Sequence, residues 1–248
     1  MEGENVIFGI RTVIEAIRSG KTVDKVLIRK GLDNELFYEL FQVVREEKIP
    51  FQYVPVEKLN RITRKNHQGV IAYVSPVEFQ PIETLLPFLF ESGKTPLLLI
   101  TDQVTDVRNF GAIARSAECA GVDAILFPEK GSAAINADAI KTSAGALHHI
   151  PVCRTGNLVK TVQFLKDSGI KILAATEHAE KTYTVINMKV PLAIIVGSEE
   201  SGISTALLKL ADELVSIPVR GKIGSLNVSV AAALMIYEAV RQREDIQG

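Results

Sequence analysis

Three short polar segments hold the side chains that could do chemistry, and each of them follows an apolar run. They are residues 102–117, 197–202 and 217–229. The segments carry amides, carboxylates, hydroxyls and guanidinium groups, with glycine and alanine between them. Groups of this kind can orient a polar substrate and stabilise charge that develops during a reaction. The sequence therefore predicts one site assembled from three places in the chain.

The last segment changes abruptly from a polar loop into a helix. Gly221 and Gly224 would permit the backbone to approach a ligand or another segment closely. Ser225 or Asn227 can cap the helix, which leaves other N–H groups of its first turn free for an anion or a polar ligand edge. A C-terminal core helix would explain the alanines and valines, but not the small and polar residues at 221–229. We therefore predict a ligand site in this loop.

The common nucleotide and nucleophile motifs are absent from the sequence. No Gly-x-Gly-x-x-Gly follows a predicted strand, and residues 197–202 lack the Lys-Ser/Thr that would complete a phosphate-binding loop. No Gly-x-Ser-x-Gly nucleophile turn occurs either. The four histidines do not pair with carboxylates at the spacing of metal ligands, so we predict no metal site.

Composition narrows the class of protein. The net charge of −1 argues against a protein that coats polyanions wholesale, so RNA binding would need local patches, and no DNA binding is expected. No uncharged apolar run reaches the roughly 18 residues that span a bilayer, and the N-terminus is unlike a secretory signal. We expect no membrane partner and a cytoplasmic location. Cys119 and Cys153 lie in apolar surroundings and are predicted to be buried, reduced thiols.

Residues 1–75 are predicted to form a small α/β unit. Its pattern gives helices at 9–17 and from the capping residue Asn34 to about Glu47, with strands at 26–28, 51–54 and 70–74. A basic stretch at 61–69 holds the candidate RNA-binding residues Arg61, Arg64, Lys65 and His67. One interpretation is a solvated surface loop. The other is a patch in which Arg and Lys contact phosphates while His67 and Gln68 reach sugars or bases.

Residues 76–95 are predicted to be a linker, because prolines and turn residues interrupt the pattern, although 82–90 is apolar enough for a short packed helix. Residues 96–248 form the second predicted domain. Short apolar strands are expected at 97–100, 124–127, 150–153, 170–174, 192–196 and 214–217. Helices are expected between them, at 110–120, 137–142, 158–167 and 205–210, and at the C-terminal end. This alternation predicts an α/β fold with a mostly parallel sheet and helices on both faces. Ligands usually bind beyond the carboxyl ends of such strands, where the three polar segments lie.

Together these segments resemble the SpoU/TrmH-type RNA 2′-O-ribose methyltransferases of the SPOUT class. The resemblance rests on Asn109-x-Gly111-Ala-Ile-x-Arg115-x-Ala, Val196-Gly-Ser-Glu199-x-x-Gly202 and Ile217-Pro-Val…Ser225-Leu-Asn227-Val-Ser229-x-Ala231. It is closest to the bacterial enzymes that methylate a guanosine ribose in 23S rRNA. The first 75 residues resemble the family's ribosomal-protein-like RNA-binding domain, including His67-Gln-Gly-Val70. One departure is Val107, where the family often has proline.

The resemblance implies a C-terminal trefoil knot that binds S-adenosylmethionine, and a homodimer with the site at or near its interface. Gly197, Gly221 and Gly224 would then let the knotted loops pass one another. The implied cofactor-binding residues are Val196, Gly197, Ile217, Ser225 and Leu226. The implied catalytic residues are Arg115, beside the attacking hydroxyl, and Asn109, Glu199 and Asn227, which would hold it. Arg115 would bind a phosphate and stabilise the alkoxide; a role as proton acceptor stays open, because guanidinium normally keeps its proton. The alternatives are a tRNA ribose methyltransferase and a non-catalytic RNA-binding or ribosome-assembly protein.

Overall fold

A computed structural model describes residues 5–244 of the chain. The chain divides into two compact units. The small unit is Met1–Glu78 with Ile135–Ala137, and the large unit is Phe79–Ala134 with Asp138–Gly248. In the described part of the chain, no helix is long and apolar enough to cross a bilayer.

The small unit is a four-stranded sheet with helices on both faces. Its elements are β1 (Val6–Phe8), α1 (Ile10–Arg18), β2 (Val23–Arg29), α2 (Glu35–Glu46), β3 (Phe51–Val54), α3 (Val56–Ile62) and β4 (Val70–Val74). The strand order is β1-β4-β2-β3; β4 is antiparallel to β1 and β2, and β3 is parallel to β2. Successive side chains of β2 point to opposite faces, so Val26 and Ile28 pack with α1 and α2, while Leu27 packs with Leu59 of α3.

The predicted helices and strands of this unit are confirmed, with small shifts at their ends. Asn34 caps α2 as expected: its Oδ1 accepts a hydrogen bond from the Phe37 N–H at 2.8 Å. Two elements were missed. The strand β1 has only three residues, and α3 contains Arg61, which begins the basic stretch 61–69 for which no helix was predicted. The apolar spacing of Val56, Leu59 and Ile62 was the available signal for α3.

The large unit is a six-stranded, fully parallel sheet. Its elements are α4 (Ile82–Glu91), β5 (Leu97–Thr101), α5 (Val107–Cys119), β6 (Ala124–Pro128), α6 (Ala137–Thr142), β7 (Val152–Thr155), α7 (Leu158–Asp167), β8 (Lys171–Ala175), β9 (Leu192–Val196), α8 (Thr205–Leu210), β10 (Glu213–Val215) and α9 (Val228–Glu244). The strand order is β10-β8-β9-β5-β6-β7. The predicted α/β class with a mostly parallel sheet is confirmed.

Both faces of this sheet are covered, which explains the unbroken apolar runs of β5 and β9. On one face Leu98, Ile100 and their neighbours pack with residues of α4, α7 and α8. On the other, α5 and α9 pack side by side, and the rings of Phe110 and Phe127 lie 5.4 Å apart. The segment treated as a linker contains α4, whose Leu86 is fully buried in the large unit's core.

The carboxyl ends of β8, β9, β5 and β10 meet at one edge of the sheet because these strands are parallel. The chain leaves β10 at one end of the sheet and enters α9, which packs against α5 and β9. Residues 216–227 therefore pass over the ends of β8 and β9. This crossing brings the last polar segment to the other two.

Candidate active site

Asn109, Glu199 and Asn227 form one hydrogen-bonded cluster, although they come from distant parts of the chain. The Nδ2 group of Asn109 donates to Glu199 Oε1 at 3.0 Å, and Asn227 Nδ2 donates to the same oxygen at 2.5 Å. Asn227 Nδ2 also donates to Asn109 Oδ1 at 3.0 Å. The Val228 N–H lies 3.3 Å from Glu199 Oε1. Within residues 5–244 every hydrogen bond of Glu199 goes to Oε1, which leaves Oε2 for a ligand.

Helix caps set the positions of the two asparagines. Asp106 caps α5: its Oδ1 accepts hydrogen bonds from the N–H groups of Arg108 at 2.7 Å and Asn109 at 2.9 Å. Asn227 caps α9 through its Oδ1, which accepts a hydrogen bond from the Ser229 N–H at 2.9 Å. Of the two predicted caps, Asn227 is therefore the one that acts, and Ser225 lies in the exposed loop before it. Each cap satisfies an N–H that the helix itself leaves unpaired.

A tight turn after β9 presents Glu199. Ser198 and Gly202 exchange backbone hydrogen bonds of 3.1 and 3.0 Å, and Ser198 Oγ accepts one from the Ser201 N–H at 3.0 Å. Gly197 lies so close to this turn that an added Cβ would be 2.2 Å from the Gly202 carbonyl carbon, so only glycine fits there. The buried Asp102 fixes the chain just after this turn, because its Oδ2 accepts a hydrogen bond from the Ser204 N–H at 2.7 Å.

Gly221 and Gly224 are not crowded, although close passage of loops was predicted for them as for Gly197. A Cβ at Gly221 or Gly224 would meet no atom within 4 Å, so the predicted close passage of loops is found at Gly197 alone of these three. Close packing also occurs at Gly111, where a Cβ would lie 2.8 Å from that of Thr142. Gly111 therefore lets α5 approach α6 closely, a packing role within the first motif that was not predicted.

Arg115 is exposed on α5 and lies apart from the cluster. It follows Asn109 by six residues, which places the two side chains about 120° apart around the helix. Within the described residues Arg115 makes no hydrogen bond or ion pair, and Asn109 instead binds Glu199. The expectation that Asn109, Glu199 and Asn227 hold Arg115 is therefore wrong for the single chain.

A cavity of about 400 Å³ adjoins the cluster and shares Glu199 with it. All five predicted cofactor-binding residues line this cavity: Val196, Gly197, Ile217, Ser225 and Leu226. Glu177 and His178, which follow β8, line it too. Neither residue was predicted to lie at the site, because the three predicted polar segments do not include the one that follows β8. The signal was their position directly after a fourth apolar strand at the same edge.

The predicted RNA-binding residues separate into exposed cations and a buried histidine. Arg61, Arg64 and Lys65 are exposed. The ring of His67 is buried and both nitrogens are used: Nδ1 accepts from the Gly69 N–H at 3.0 Å, and Nε2 lies 2.9 Å from Asn60 Oδ1. His67 therefore shapes the turn rather than presenting itself to RNA, which corrects the prediction. Gln68 is exposed, but its Oε1 accepts a hydrogen bond from the Ile10 N–H at the start of α1.

The two cysteines differ in burial and reactivity. Burial raises the pKa of the Cys153 thiol to about 12, so it stays protonated and unreactive near neutral pH. Cys119 is exposed at the end of α5, and the prediction that it is buried is wrong. Among residues 5–244 no three His, Cys, Asp or Glu side chains are grouped so that they could hold a metal ion.

Comparison with known proteins finds two family models and relatives that match this chain. Residues 96–237 match the model of the SpoU rRNA Methylase family, and residues 6–80 match the RNA 2′-O ribose methyltransferase substrate-binding domain. A Staphylococcus saprophyticus protein, assigned by name to the TrmH family of tRNA/rRNA methyltransferases, is 37% identical over 98% of both chains. A Staphylococcus aureus protein with the same assignment is 35% identical over 98% of both chains.

Solved structures share the fold. The SpoU methyltransferase AviRb from Streptomyces viridochromogenes, solved with AdoMet, superimposes with a TM-score of 0.62 at 24% identity, covering 98% of this chain and 91% of that one. An RNA 2′-O ribose methyltransferase superimposes with a TM-score of 0.58 at 28% identity, covering 96% of this chain and 88% of that one. With both family domains matched and relatives aligned along nearly the whole chain, the protein belongs to the SpoU/TrmH family of RNA methyltransferases.

Proposed function

We propose that this protein transfers a methyl group from S-adenosylmethionine to a ribose 2′-hydroxyl of RNA, and that the target is a guanosine of 23S rRNA. One observation carries the proposal: the cavity lined by the five cofactor residues shares Glu199 with the Asn109–Glu199–Asn227 cluster. A cofactor in the cavity would thus lie beside polar groups that can orient a hydroxyl.

The cavity fits the cofactor in size and chemistry. Its volume of about 400 Å³ falls in the range of about 300–1,000 Å³ that is usual for small-molecule sites. Val196, Ile217 and Leu226 offer apolar contact to an adenine ring, and backbone at Gly197 offers polar contact to its edge. AviRb, of the same fold, was solved with this cofactor. Bound S-adenosylmethionine supplies an electrophilic methyl group on its sulfonium sulfur.

The residues of the chain would hold and polarise the hydroxyl. The amide groups of Asn109 and Asn227 fix Glu199 through Oε1, so Oε2 can accept a hydrogen bond from the ribose 2′-OH. Holding the oxygen in line with the methyl group can supply roughly 7–11 kcal/mol of barrier reduction. The guanidinium of Arg115 would bind a neighbouring phosphate and stabilise the alkoxide as the hydroxyl loses its proton.

A homodimer would explain two features of α5 and α9. Val230, Leu234 and Tyr237 form an exposed apolar stripe on α9, at the helical spacing of one face. The helix beside it, α5, exposes Arg115 away from its own cluster. We propose that a second copy covers the stripe and that Arg115 meets the reaction site only in this assembly. Light scattering on the wild type and on Leu234→Glu tests this; a monomeric wild type would refute it.

The same proposal includes the trefoil knot and the cellular setting that the resemblance implies. The path of residues 216–227 over the ends of β8 and β9 is the support for threading. The exposed Arg61, Arg64 and Lys65 of the matched substrate-binding domain support capture of RNA phosphates. A bacterial 23S rRNA target would place the enzyme in the cytoplasm.

The decisive experiment is mass-spectrometric mapping of 2′-O-methyl sites in total RNA from a strain that lacks this protein. Loss of one guanosine methylation in 23S rRNA is the expected result, with restoration by the wild-type gene. Loss in tRNA instead would select the tRNA enzyme, which the names of the tRNA/rRNA relatives keep open. An unchanged map, with no S-adenosylmethionine binding by calorimetry, would indicate a non-catalytic RNA-binding protein.

A further inference from the structure

The charged side chains that line the cavity are of nearly one sign. Among residues 5–244, the ionisable lining residues are Glu177, His178, Glu199 and Glu200, and no lysine or arginine is among them. The whole chain is nearly neutral, with 28 Lys and Arg against 29 Asp and Glu. The acidic lining is therefore local to this cavity.

Among the described residues, two of the three carboxylates lack a strong hydrogen-bond or ion-pair partner. Glu199 accepts hydrogen bonds from Asn109 and Asn227, as described above. In the part of the chain that the structure describes, the one ion-pair partner of Glu177 is the exposed ring of His178, whose Nε2 lies 3.8 Å from Glu177 Oε1. Glu200 makes no hydrogen bond or ion pair with the described residues. Glu177 follows β8 and Glu200 follows β9, and because these strands are neighbours the two charges lie at the same edge of the sheet.

We propose that Glu177 and Glu200 make the cavity selective for the positively charged methyl donor over its neutral product. This inference rests on the proposed function. S-adenosylmethionine carries a sulfonium, an ammonium and a carboxylate, so its net charge is +1. In the reaction the S–CH₃ bond breaks, an O–CH₃ bond forms, and the hydroxyl proton leaves to solvent. The product S-adenosylhomocysteine is a thioether of net charge zero.

The physical consequence concerns exchange of the spent cofactor. Carboxylates that line the cavity attract the positively charged donor. Once the methyl group has been transferred, the product has no net charge, so this attraction is lost. They therefore raise the affinity for the donor without raising it equally for the product, which aids product release. Since the Glu177 side chain is 59% exposed, solvent screens it and each carboxylate should contribute only about two- to fivefold.

Calorimetric titration of four variants with three ligands tests the inference. The variants are Glu177→Gln, Glu200→Gln, the double variant, and Glu180→Gln as a control on an exposed carboxylate that does not line the cavity. The ligands are S-adenosylmethionine, S-adenosylhomocysteine and sinefungin. Sinefungin carries an amine in place of the methyl sulfonium, so it matches the donor's charge without its reactivity.

The double variant should bind S-adenosylmethionine and sinefungin about tenfold more weakly than the wild type, and bind S-adenosylhomocysteine unchanged. The difference should shrink as salt is raised, and Glu180→Gln should behave as the wild type. Equal weakening of all three ligands would overturn the inference, since it would indicate loss of contacts rather than of charge. Unchanged binding of all three would overturn it as well. Failure of the wild type to bind any of them would instead refute the cofactor site itself.

Discussion

The two sides of the candidate active site are built in opposite ways. The braced side comprises Asn109, residues 197–204 and Asn227, where helix caps and a closed turn hold the polar groups. The open side comprises residues 217–226, which contribute to the cavity lining, and the exposed Arg115 of α5, which does not line the cavity. In the described part of the chain, no backbone–backbone hydrogen bond is made by residues 217–226, and Ile223 is 78% exposed.

The difference separates two requirements of the reaction. Groups that orient a hydroxyl must be in place before substrate arrives, because rigid placement is what lowers the barrier. Groups that admit a cofactor and a large RNA must be able to move, and weakly hydrogen-bonded segments are the ones that open readily. The braced side suits the first requirement and the open side suits the second.

The largest expected effect comes from Arg115 on the open side. Arg115→Ala should lower the single-turnover methylation rate by about 10²–10³-fold, because a donor that stabilises the alkoxide is lost. Cofactor affinity, measured by calorimetry, should change little. Arg115→Lys keeps the charge but loses the planar fork, so it should stay badly impaired. Near-wild-type rates in both variants would remove Arg115 from the mechanism.

A pair of glycine variants compares how tightly the braced side and the open side are packed. Gly197→Ala should lower the free energy of unfolding by about 1–3 kcal/mol, since the new methyl group would overlap the Gly202 backbone. The matched variant Gly224→Ala has open space and should change it by less than about 0.5 kcal/mol. Urea unfolding monitored by circular dichroism measures both. Equal stability of the two variants would contradict the distinction between a tightly packed braced side and a loosely packed open side.

The small unit shows the same contrast between exposed and held side chains. Neutralising Arg61, Arg64 and Lys65 together should weaken RNA binding about tenfold. It should also reduce the slope of log K against log salt by about 2, because three phosphate contacts are lost. Filter binding across a salt series measures this. The control His67→Gln should leave the slope unchanged; an altered slope would return His67 to the RNA-binding surface.

The smallest effect is expected at the cap of α9. Asn227→Ala should destabilise the protein by about 1 kcal/mol, because the Ser229 N–H loses its acceptor. Ser225→Ala, two residues earlier on the open side, should leave stability unchanged. Thermal unfolding of the two variants decides between them. A loss of stability at Ser225 rather than Asn227 would show that the cap is assigned to the wrong residue.

Local patterns in the sequence were enough to predict most of the fold. The order of elements, the cap at Asn34 and the parallel sheet follow from periodicity and from apolar runs buried on both faces. The same reasoning placed the three polar segments at one edge of the sheet. A parallel sheet also places the carboxyl end of β8 at that edge, but only the strand order shows that β8 lies next to β9, so that Glu177 lines the same cavity as Glu199.

The sequence by itself determined which residue types reach the site, because strand ends and helix starts are local features. Only the tertiary structure decided what each residue does there. Gly197 is crowded and Gly224 is not, since crowding depends on the folded path of the turn that follows β9. His67 turns inward because Asn60 and the Gly69 N–H are there to meet it. The six-residue spacing on α5 separates Arg115 from Asn109 around the helix, but only the packing of α5 against α9 and α6 decided that the face of Asn109 meets Glu199.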